Sequence, residues 1–224
     1  MTSVNLEQTL QNLYLFSTNE NLTDRIADIE HRLVSTNKED VASFLYKEKI
    51  NAAILGSALK VKEIAGQINV IIHSLGMLIA LPYILEPKET IVALSLGAGN
   101  TGKRYDLETN KRIAEFKFIA WQGGPESIRQ NSLFVDLFNL SEDPTPKEKY
   151  VYVIDKKIPI KFLKGRRDIK SVLSKNQTAR DKFFSKYGNK FLRVFEYYDH
   201  VKDEVTIVEL GDISPVFSKK KLVN

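Results

Sequence analysis

Two acidic residues and one lysine near the middle of this 224-residue chain have the chemistry of a metal-dependent hydrolytic site. They are Asp106, Glu115 and Lys117, and they stand within residues 104–118. Carboxylate oxygens are hard ligands that suit Mg²⁺ or Mn²⁺, and a lysine beside them can act on a metal-bound water. The three residues therefore form a candidate site for cleaving a phosphodiester.

The segment around these residues is predicted to form a β-hairpin. The turn-prone pair Thr109-Asn110 separates two runs of strand-like composition. With a loop of two or four residues, Asp106 pairs with Ile113 on the opposite strand. Because side chains alternate along a strand, the two carboxylates and the lysine then project from the same side. The carboxylate Cβ atoms would be diagonal neighbours roughly 7–8 Å apart, which lets both groups converge on one cation.

The pattern of Asp106 followed by Glu115-x-Lys117 on a hairpin resembles the signature of the PD-(D/E)xK nuclease superfamily. That superfamily includes restriction endonucleases, Holliday junction resolvases and DNA-repair nucleases. Tyr105 stands where many members have a proline. The resemblance implies that the two carboxylates hold Mg²⁺, with Mn²⁺ as a substitute. It also implies that Lys117 orients the attacking water or stabilises the developing negative charge.

Further site residues follow from the same resemblance and from the elements around the hairpin. The carbonyl group of Phe116 is a candidate extra metal ligand. A carboxylate on the first core helix often completes the metal site in the family, and Glu63 is the candidate here. Gln67 lies one helical turn later, where it would face DNA. Arg129 and Gln130, at the start of a predicted helix, are candidate phosphate contacts because a helix start offers free N–H groups to an anion.

The order of predicted elements is similar to the α-β-β-β-α-β core of this superfamily. The sequence therefore predicts an α/β fold with a restriction-endonuclease-like mixed sheet flanked by helices. The predicted core elements are a helix within residues 39–85, strands at 90–96, 104–108 and 112–121, a helix at 126–141 and a strand at 150–154.

The third predicted strand is apolar on both faces, which is typical of a strand in a covered sheet. Only Glu115 and Lys117 interrupt it, and burying an unpaired charge is costly. Another interpretation of this pair is therefore an ordinary salt bridge, or a sheet edge whose charged side meets water. Trp121, at the end of the strand, is expected in the core and not as a platform for base stacking.

The flanks divide the chain into three predicted parts. They are a helical N-terminal extension at 1–58, the nuclease-like core at 59–160 and a basic C-terminal region at 161–224. In the last part, residues 167–175 and 179–187 are predicted helices, with Thr178 and Asp181 as a capping box and Gly188 as a C-terminal stop. Residues 191–198 and 204–210 are predicted to form a hairpin.

Basic residues are concentrated in one stretch of the chain. Residues 147–193 contain 15 Lys and Arg against 4 Asp and Glu, a balance of +11, whereas the whole chain carries +5. Such asymmetry is an electrostatic footprint for a polyanion, so DNA is the expected partner. Lys164, Arg166 and Arg167 are the candidate DNA contacts. The alternative is a solvated basic face without a partner.

Composition excludes several other kinds of site. The chain has no cysteine, which removes disulfides, thiolate metal sites and a cysteine nucleophile. The three histidines are too scattered to suggest a zinc cluster. The N-terminal residues do not resemble a signal peptide, so a cytoplasmic protein is expected. Residues 64–85 are apolar, but Gln67, Asn69, His73 and Pro82 favour a buried core helix over a membrane span.

Three function classes stay open on the sequence alone. The first is a Mg²⁺-dependent DNA endonuclease of restriction, defence or repair type. The second is a nuclease-like DNA-binding protein that no longer cleaves. The third is a nucleotide-binding protein that uses residues 97–103, which match the first seven positions of a P-loop but lead into a predicted strand and lack the hydroxyl residue at Arg104. The N-terminal helices could cover the core or form a homodimer contact.

Overall fold

Within the part of the chain that the computed structural model describes, residues 6–17, 22–97, 102–118, 121 and 126–218, the fold is mixed α/β with one five-stranded sheet. The helices are α1 (Leu6–Ser17), α2 (Leu22–Leu33), α3 (Lys38–Lys47), α4 (Ala52–Ile84), α5 (Ser127–Ser141), α6 (Lys157–Leu163), α7 (Ile169–Val172), α8 (Gln177–Tyr187), α9 (Val194–Val201) and α10 (Leu210–Ile213). The strands are β1 (Ile91–Leu94), β2 (Leu107–Thr109), β3 (Arg112–Lys117), β4 (Glu148–Val153) and β5 (Thr206–Glu209). A 3₁₀ turn at Pro215–Phe217 follows α10.

The chain divides into two compact units, Met1–Asn69 and Val70–Asn224. In the first unit, Glu48 accepts hydrogen bonds from Arg25 at 2.7 Å and Arg32 at 2.8 Å, which ties α2 to the end of α3. The second unit contains the whole sheet and the helices that cover it. The three-part division drawn from the sequence stays a prediction.

The sheet has the strand order β1-β2-β3-β4-β5 and mixed directions. β1, β2 and β3 form an antiparallel meander, whereas β3, β4 and β5 run parallel. The crossover from β3 to β4 contains α5, as a parallel pair requires. The observed sequence of elements from α4 to β4 is therefore the predicted α-β-β-β-α-β, and the mixed α/β class is confirmed.

β3 is the central strand and is covered on both faces, as its sequence predicts. Ile113 points into a core that β3 and β4 share with α5 and the C-terminal helices. Ala114 and Phe116 point into a second core on the opposite face, with α4 residues such as Met77. Trp121 is buried in the first core, and its ring centroid lies 6.3 Å from that of Phe162, which confirms its structural role.

α4 approaches the sheet closely through a glycine. A Cβ atom placed on Gly76 would lie 2.5–2.6 Å from ring carbons of Phe118, which follows β3. That distance is far below a van der Waals contact. The absence of a side chain at Gly76 therefore lets the Phe118 ring lie against the backbone of α4.

The long apolar helix lies within its predicted range. Residues 39–85 also contain most of α3, because the chain turns between α3 and α4, where Lys49 has a φ of 56°. However, α4 is not a buried core helix, since only 17% of its most apolar window is buried. By length and composition it is the one helix among the described residues that could cross a membrane.

The hairpin register differs from the predicted one by two residues. Ile113 lies opposite Glu108, not opposite Asp106. The cause is Thr109, which is fully buried and belongs to β2, so the turn begins one residue later than predicted. The Thr109 hydroxyl accepts hydrogen bonds from the amides of Lys111 and Arg112, which closes the turn. A shift by two residues keeps every side chain on its predicted face.

The predicted C-terminal hairpin is wrong. Residues 194–201 form α9, and β5 pairs with β4 in parallel. Glu196 accepts hydrogen bonds from the amides of Leu192 and Arg193, which caps the start of α9. Val194, Tyr197 and Val201 recur at helical spacing and are buried.

The three helices before α9 agree only in part with the prediction from the sequence. α8 lies where expected and ends at Gly188, which has a φ of 55°. Its N-cap is Asn176, whose side chain accepts from the amide of Ala179, so the capping box of Thr178 and Asp181 is wrong. The predicted helix at 167–175 is reduced to α7, and α6 follows β4 without having been predicted.

Candidate active site

The structure holds the Asp106 carboxylate rigidly beside β3. Its Oδ2 accepts a hydrogen bond of 2.9 Å from the backbone amide of Phe116. Its Oδ1 lies 3.3 Å from Nε2 of His73 on α4. Tyr105, the residue before Asp106, is buried and donates its hydroxyl to Asp143 at 2.7 Å. The chain is therefore anchored immediately before the first carboxylate of the site.

Asp106 and Glu115 form a hydrogen-bonded pair of carboxyl groups. Burial, together with the charges of Asp136 and Asp106, raises the pKa of Glu115 to about 10. Burial would also raise the pKa of Asp106, but the hydrogen bonds from His73 and the Phe116 amide outweigh it and lower that pKa. At neutral pH the metal-free pair therefore carries one proton, which Glu115 holds and donates toward the Asp106 carboxylate.

Lys117 extends the same cluster toward α5. Its Nζ lies 2.6 Å from Oδ2 of Asp136, and both side chains are largely buried. Burial would lower the pKa of Lys117, but the surrounding carboxyl groups, Asp136 foremost, raise it. A raised pKa keeps this lysine an ammonium group. That state suits stabilisation of negative charge and opposes a role as general base.

Two residues of the cluster, His73 and Asp136, were missed by sequence reasoning. Both come from helices far from the hairpin in sequence. A signal for Asp136 does exist, since it is the one acid within the apolar run 133–138. Such an isolated acid among core residues needs a buried partner, which Lys117 supplies. His73 gave a weaker signal, as a polar residue on an apolar helix.

The donor set fits a magnesium ion that keeps several water ligands. Among the described residues, no group of three or more histidine or acidic side chains is placed to hold a metal as it stands. The Asp106 carboxylate is nevertheless held against β3, the strand that carries Glu115, by the Phe116 amide. Mg²⁺ is commonly held by one or two carboxylates, with waters and substrate phosphate as the other ligands. Two carboxyls that share a proton can exchange it for a cation.

The other predicted metal ligands are the Phe116 carbonyl and the Glu63 carboxylate. The Phe116 amide binds Asp106, so its residue lies at the site, and its carbonyl stays a predicted ligand. Glu63 belongs to the first unit, where its carboxylate lies 2.8 Å from the Lys60 ammonium. Gln67 is in the same unit and is exposed. Their roles at a metal or on DNA stay predictions.

Two of the candidate phosphate-contact residues are hydrogen-bonded to each other in the structure. Arg167, in the segment after α6, donates a hydrogen bond to the side chain of Gln130 near the start of α5. Arg129 lies 3.0 Å from Glu126, which reduces its availability to a phosphate. Lys164 and Arg166 are at least partly exposed to solvent. The fold therefore brings the basic segment to the helix that carries Asp136.

Backbone contacts bring a further cation to this basic segment. Asp168 and Arg193 form an isolated antiparallel bridge, and the amide of Val194 donates to the carbonyl of Arg167. Arg193 thereby lies beside Arg167 although the two are far apart in sequence. Its side chain is about half exposed, with a carboxylate contact to Asp168 at 3.7 Å.

Space for a substrate lies in an open groove beside Asp136. A narrow crevice beside Lys117 is lined by Trp121, Leu133 and Asp155. An open groove of about 350 Å³ begins at Asp136 and is lined by Ile128, Asn131, Ser132, Val135, Val172, Lys175 and Asn176. Asn131 Oδ1 is buried without a hydrogen-bond partner in the described part of the chain.

The P-loop-like segment leads into a strand and not a helix. Residues 98–101 lie outside the described part of the chain, as do residues 122–125 and the basic tail at 219–221. Lys103 donates to the carbonyl of Leu94, and β2 begins at Leu107. A phosphate-binding P-loop requires a helix start after the lysine.

Comparison with known protein families, with curated proteins and with solved structures found no match for this chain.

Proposed function

We propose that this protein is a Mg²⁺-dependent DNA endonuclease of the PD-(D/E)xK type, with a restriction-endonuclease-like fold. The observation that carries the proposal is the Asp106 carboxylate, held by the Phe116 amide of the strand that also carries Glu115 and Lys117. The mixed sheet and the element order from α4 to β4 support it. The basic segment near α5 supports DNA as the substrate.

The side chains of the site divide the work of phosphodiester hydrolysis between them. Asp106, fixed by the Phe116 amide and His73, and Glu115, after losing its proton, would hold the metal. A bound Mg²⁺ ion supplies charge that polarises the scissile phosphate and lowers the pKa of water. Lys117 stays protonated and faces the negative charge that develops on the phosphate. Asp136 orients the Lys117 ammonium through their contact of 2.6 Å.

Two other functions stay as alternatives. In a DNA-binding protein without nuclease activity, the same basic segment would bind DNA and the buried cluster would serve stability alone. A nucleotide-binding role for residues 97–103 is opposed by the strand that follows Lys103. Calorimetric titration with ATP and GTP tests that role directly.

The decisive experiment compares two conservative substitutions on one hairpin. Asp106→Asn keeps the oxygen that accepts from the Phe116 amide but removes the charge that a cation needs. Cleavage of supercoiled plasmid with Mg²⁺ or Mn²⁺ should therefore fall to background. Glu108→Gln is the matched control, because Glu108 pairs with Lys147 at 2.7 Å and not with the site, so cleavage should be retained.

Two results would contradict the proposal, one for the position of the active site and one for nuclease activity. If Asp106→Asn nicks plasmid at the wild-type rate, the hairpin is not the active site. If the wild-type protein binds duplex DNA but cleaves no form of it with either metal, the non-catalytic DNA-binding function replaces the nuclease.

A further inference from the structure

α4 is apolar on two opposite faces. Its inner face packs on the sheet through Met77, Ala80, Leu81 and Ile84, all of which are buried. Its outer face carries five large aliphatic side chains that expose 38–53% of their surface: Ile71, Ile72, Leu75, Leu78 and Ile79. A helix on a protein surface normally presents polar residues opposite its core-facing stripe. The outer face of α4 breaks that rule.

The outer face has the spacing of a helix-pairing surface. Ile71, Leu75 and Leu78 are separated by four and three residues. Apolar residues that recur every 3.5 positions form the seam by which two helices pack knobs into holes. We call Ile71, Leu75 and Leu78 the outer seam.

The outer face exposes several neighbouring apolar side chains. Ile72, Ile79 and Tyr83 lie beside the outer seam, and every side chain of this group exposes 38–53% of its surface. Large apolar patches are uncommon on soluble monomers, where even the largest covers about 300–600 Å². A standard protein interface buries about 800 Å² on each partner, so a dimer would cover all of these side chains.

A lipid bilayer does not fit this helix as well as a protein partner does. A membrane span is surrounded by hydrocarbon, whereas the inner face of α4 is committed to the sheet through Met77 and Leu81. The same face places His73 against Asp106 and leaves Gly76 in contact range of Phe118. Inserting α4 into a bilayer would dismantle one core of the second unit.

We propose that the outer seam of α4 pairs with the outer seam of a second copy of this chain, forming a two-fold symmetric homodimer. A seam with a 3.5-residue repeat needs a helix with the same repeat, and α4 supplies that helix itself. In a two-fold symmetric dimer, the outer seams of both copies are buried in one interface. The proposal is independent of the nuclease function, since the seam faces away from the side of α4 that carries His73.

The test measures the mass of the full-length protein in solution by size-exclusion chromatography with light scattering. The wild-type protein should have twice the chain mass of 25.6 kDa. Leu75→Lys combined with Leu78→Lys should give the monomer mass, with an unchanged circular dichroism spectrum. Leu192→Lys changes a leucine of similar exposure, 49% against 53% for Leu75, that lies outside the seam, and this variant should stay dimeric.

A cross-linking experiment avoids charged substitutions. The chain has no cysteine, so Leu75→Cys introduces a single thiol near the middle of the seam. A short bis-maleimide should join two copies of this variant but not two copies of Leu192→Cys.

Three results overturn the proposal. The wild-type protein could be monomeric across the accessible concentrations, or its dimer could persist in the Leu75→Lys/Leu78→Lys variant. A monomer that binds phosphatidylcholine vesicles through the seam would assign the surface to a membrane.

Discussion

At the scale of single residues, the proton on Glu115 determines how the metal-free site behaves. Burial and the neighbouring charges of Asp136 and Asp106 raise its pKa from 4.5 to about 10. Between these two values the folded protein holds a proton that the unfolded chain has released. The contribution of Glu115 to stability is therefore highest below pH 4.5 and falls as pH rises toward 10, by at most about 1.4 kcal/mol per pH unit.

The variant Glu115→Gln tests this pH dependence. Glutamine keeps the hydrogen-bond donor toward Asp106 but cannot ionise. Thermal unfolding in EDTA should show the variant gaining stability relative to wild type as the pH rises from about 5 to 9. Glu108→Gln controls for the loss of a carboxyl group on the same hairpin. A stability difference between Glu115→Gln and wild type that is constant with pH would contradict the shared proton.

The sequence predicts the residues of the site that lie close together in the chain. Asp106, Glu115 and Lys117 lie within 12 positions, and the period of a strand is enough to place them on one face. His73 and Asp136 reach the same cluster from two separate helices. Their positions depend on how those helices pack, which local periodicity does not specify.

At the scale of secondary-structure elements, a buried ion pair joins the end of the α4–β1 connection to β3. Arg112 donates two hydrogen bonds of 2.7 Å to Glu89, whose side chain is fully buried, and a third of 3.0 Å to the Tyr152 hydroxyl. Burial would raise the pKa of Glu89, but Arg112, the Glu86 amide and Thr109 lower it. The pair is charged and enclosed, so neither partner can be removed alone without cost.

Removing one partner of this ion pair should lower the free energy of unfolding more than removing both partners. Arg112→Met leaves the Glu89 carboxylate buried without its cation, and we expect a decrease of about 3–5 kcal/mol in the free energy of unfolding. The double variant Arg112→Met/Glu89→Leu should recover part of that decrease. Urea unfolding of both variants checks this order of stabilities. Lys156→Met, at an exposed ion pair, is the control. A double variant less stable than Arg112→Met would contradict this order.

The sequence correctly predicts the elements in which apolar residues follow one period, either that of a helix or that of a strand. β1, β4 and α5 lie where expected, within a few residues. The segment at 191–201 is rich in aromatic and β-branched residues, which favour a strand, yet Glu196 caps it as a helix. The hairpin register was off by two because the burial of Thr109 depends on its hydrogen bond of 2.6 Å to Glu89, 20 positions away.

At the scale of the whole molecule, the charge distribution predicts how salt affects DNA binding. Replacing Lys164, Arg166 and Arg167 with glutamine should weaken binding to unrelated duplexes alike. For each phosphate that the variant no longer neutralises, the dependence of log affinity on log salt should flatten by about 0.9. Cleavage at saturating DNA should change less, because the carboxyl pair is untouched.

A matched triple variant controls for net charge alone. Lys38, Lys47 and Lys49 belong to the first unit and lie outside the basic stretch. Replacing these three with glutamine removes the same charge and should leave the salt slope nearly unchanged. Equal slopes for the two triple variants would mean that residues 164–167 are only a solvated surface.

The close approach of α4 to Phe118 has a consequence for how this sequence can diverge. Any side chain at Gly76 would collide with the aromatic ring, so alanine there is tolerated only if the ring moves or becomes smaller. We therefore expect the two positions to change together over evolutionary time. Lineages that keep an aromatic residue after β3 should keep glycine on the helix. Lineages that lose the glycine should first have replaced the ring with a small residue.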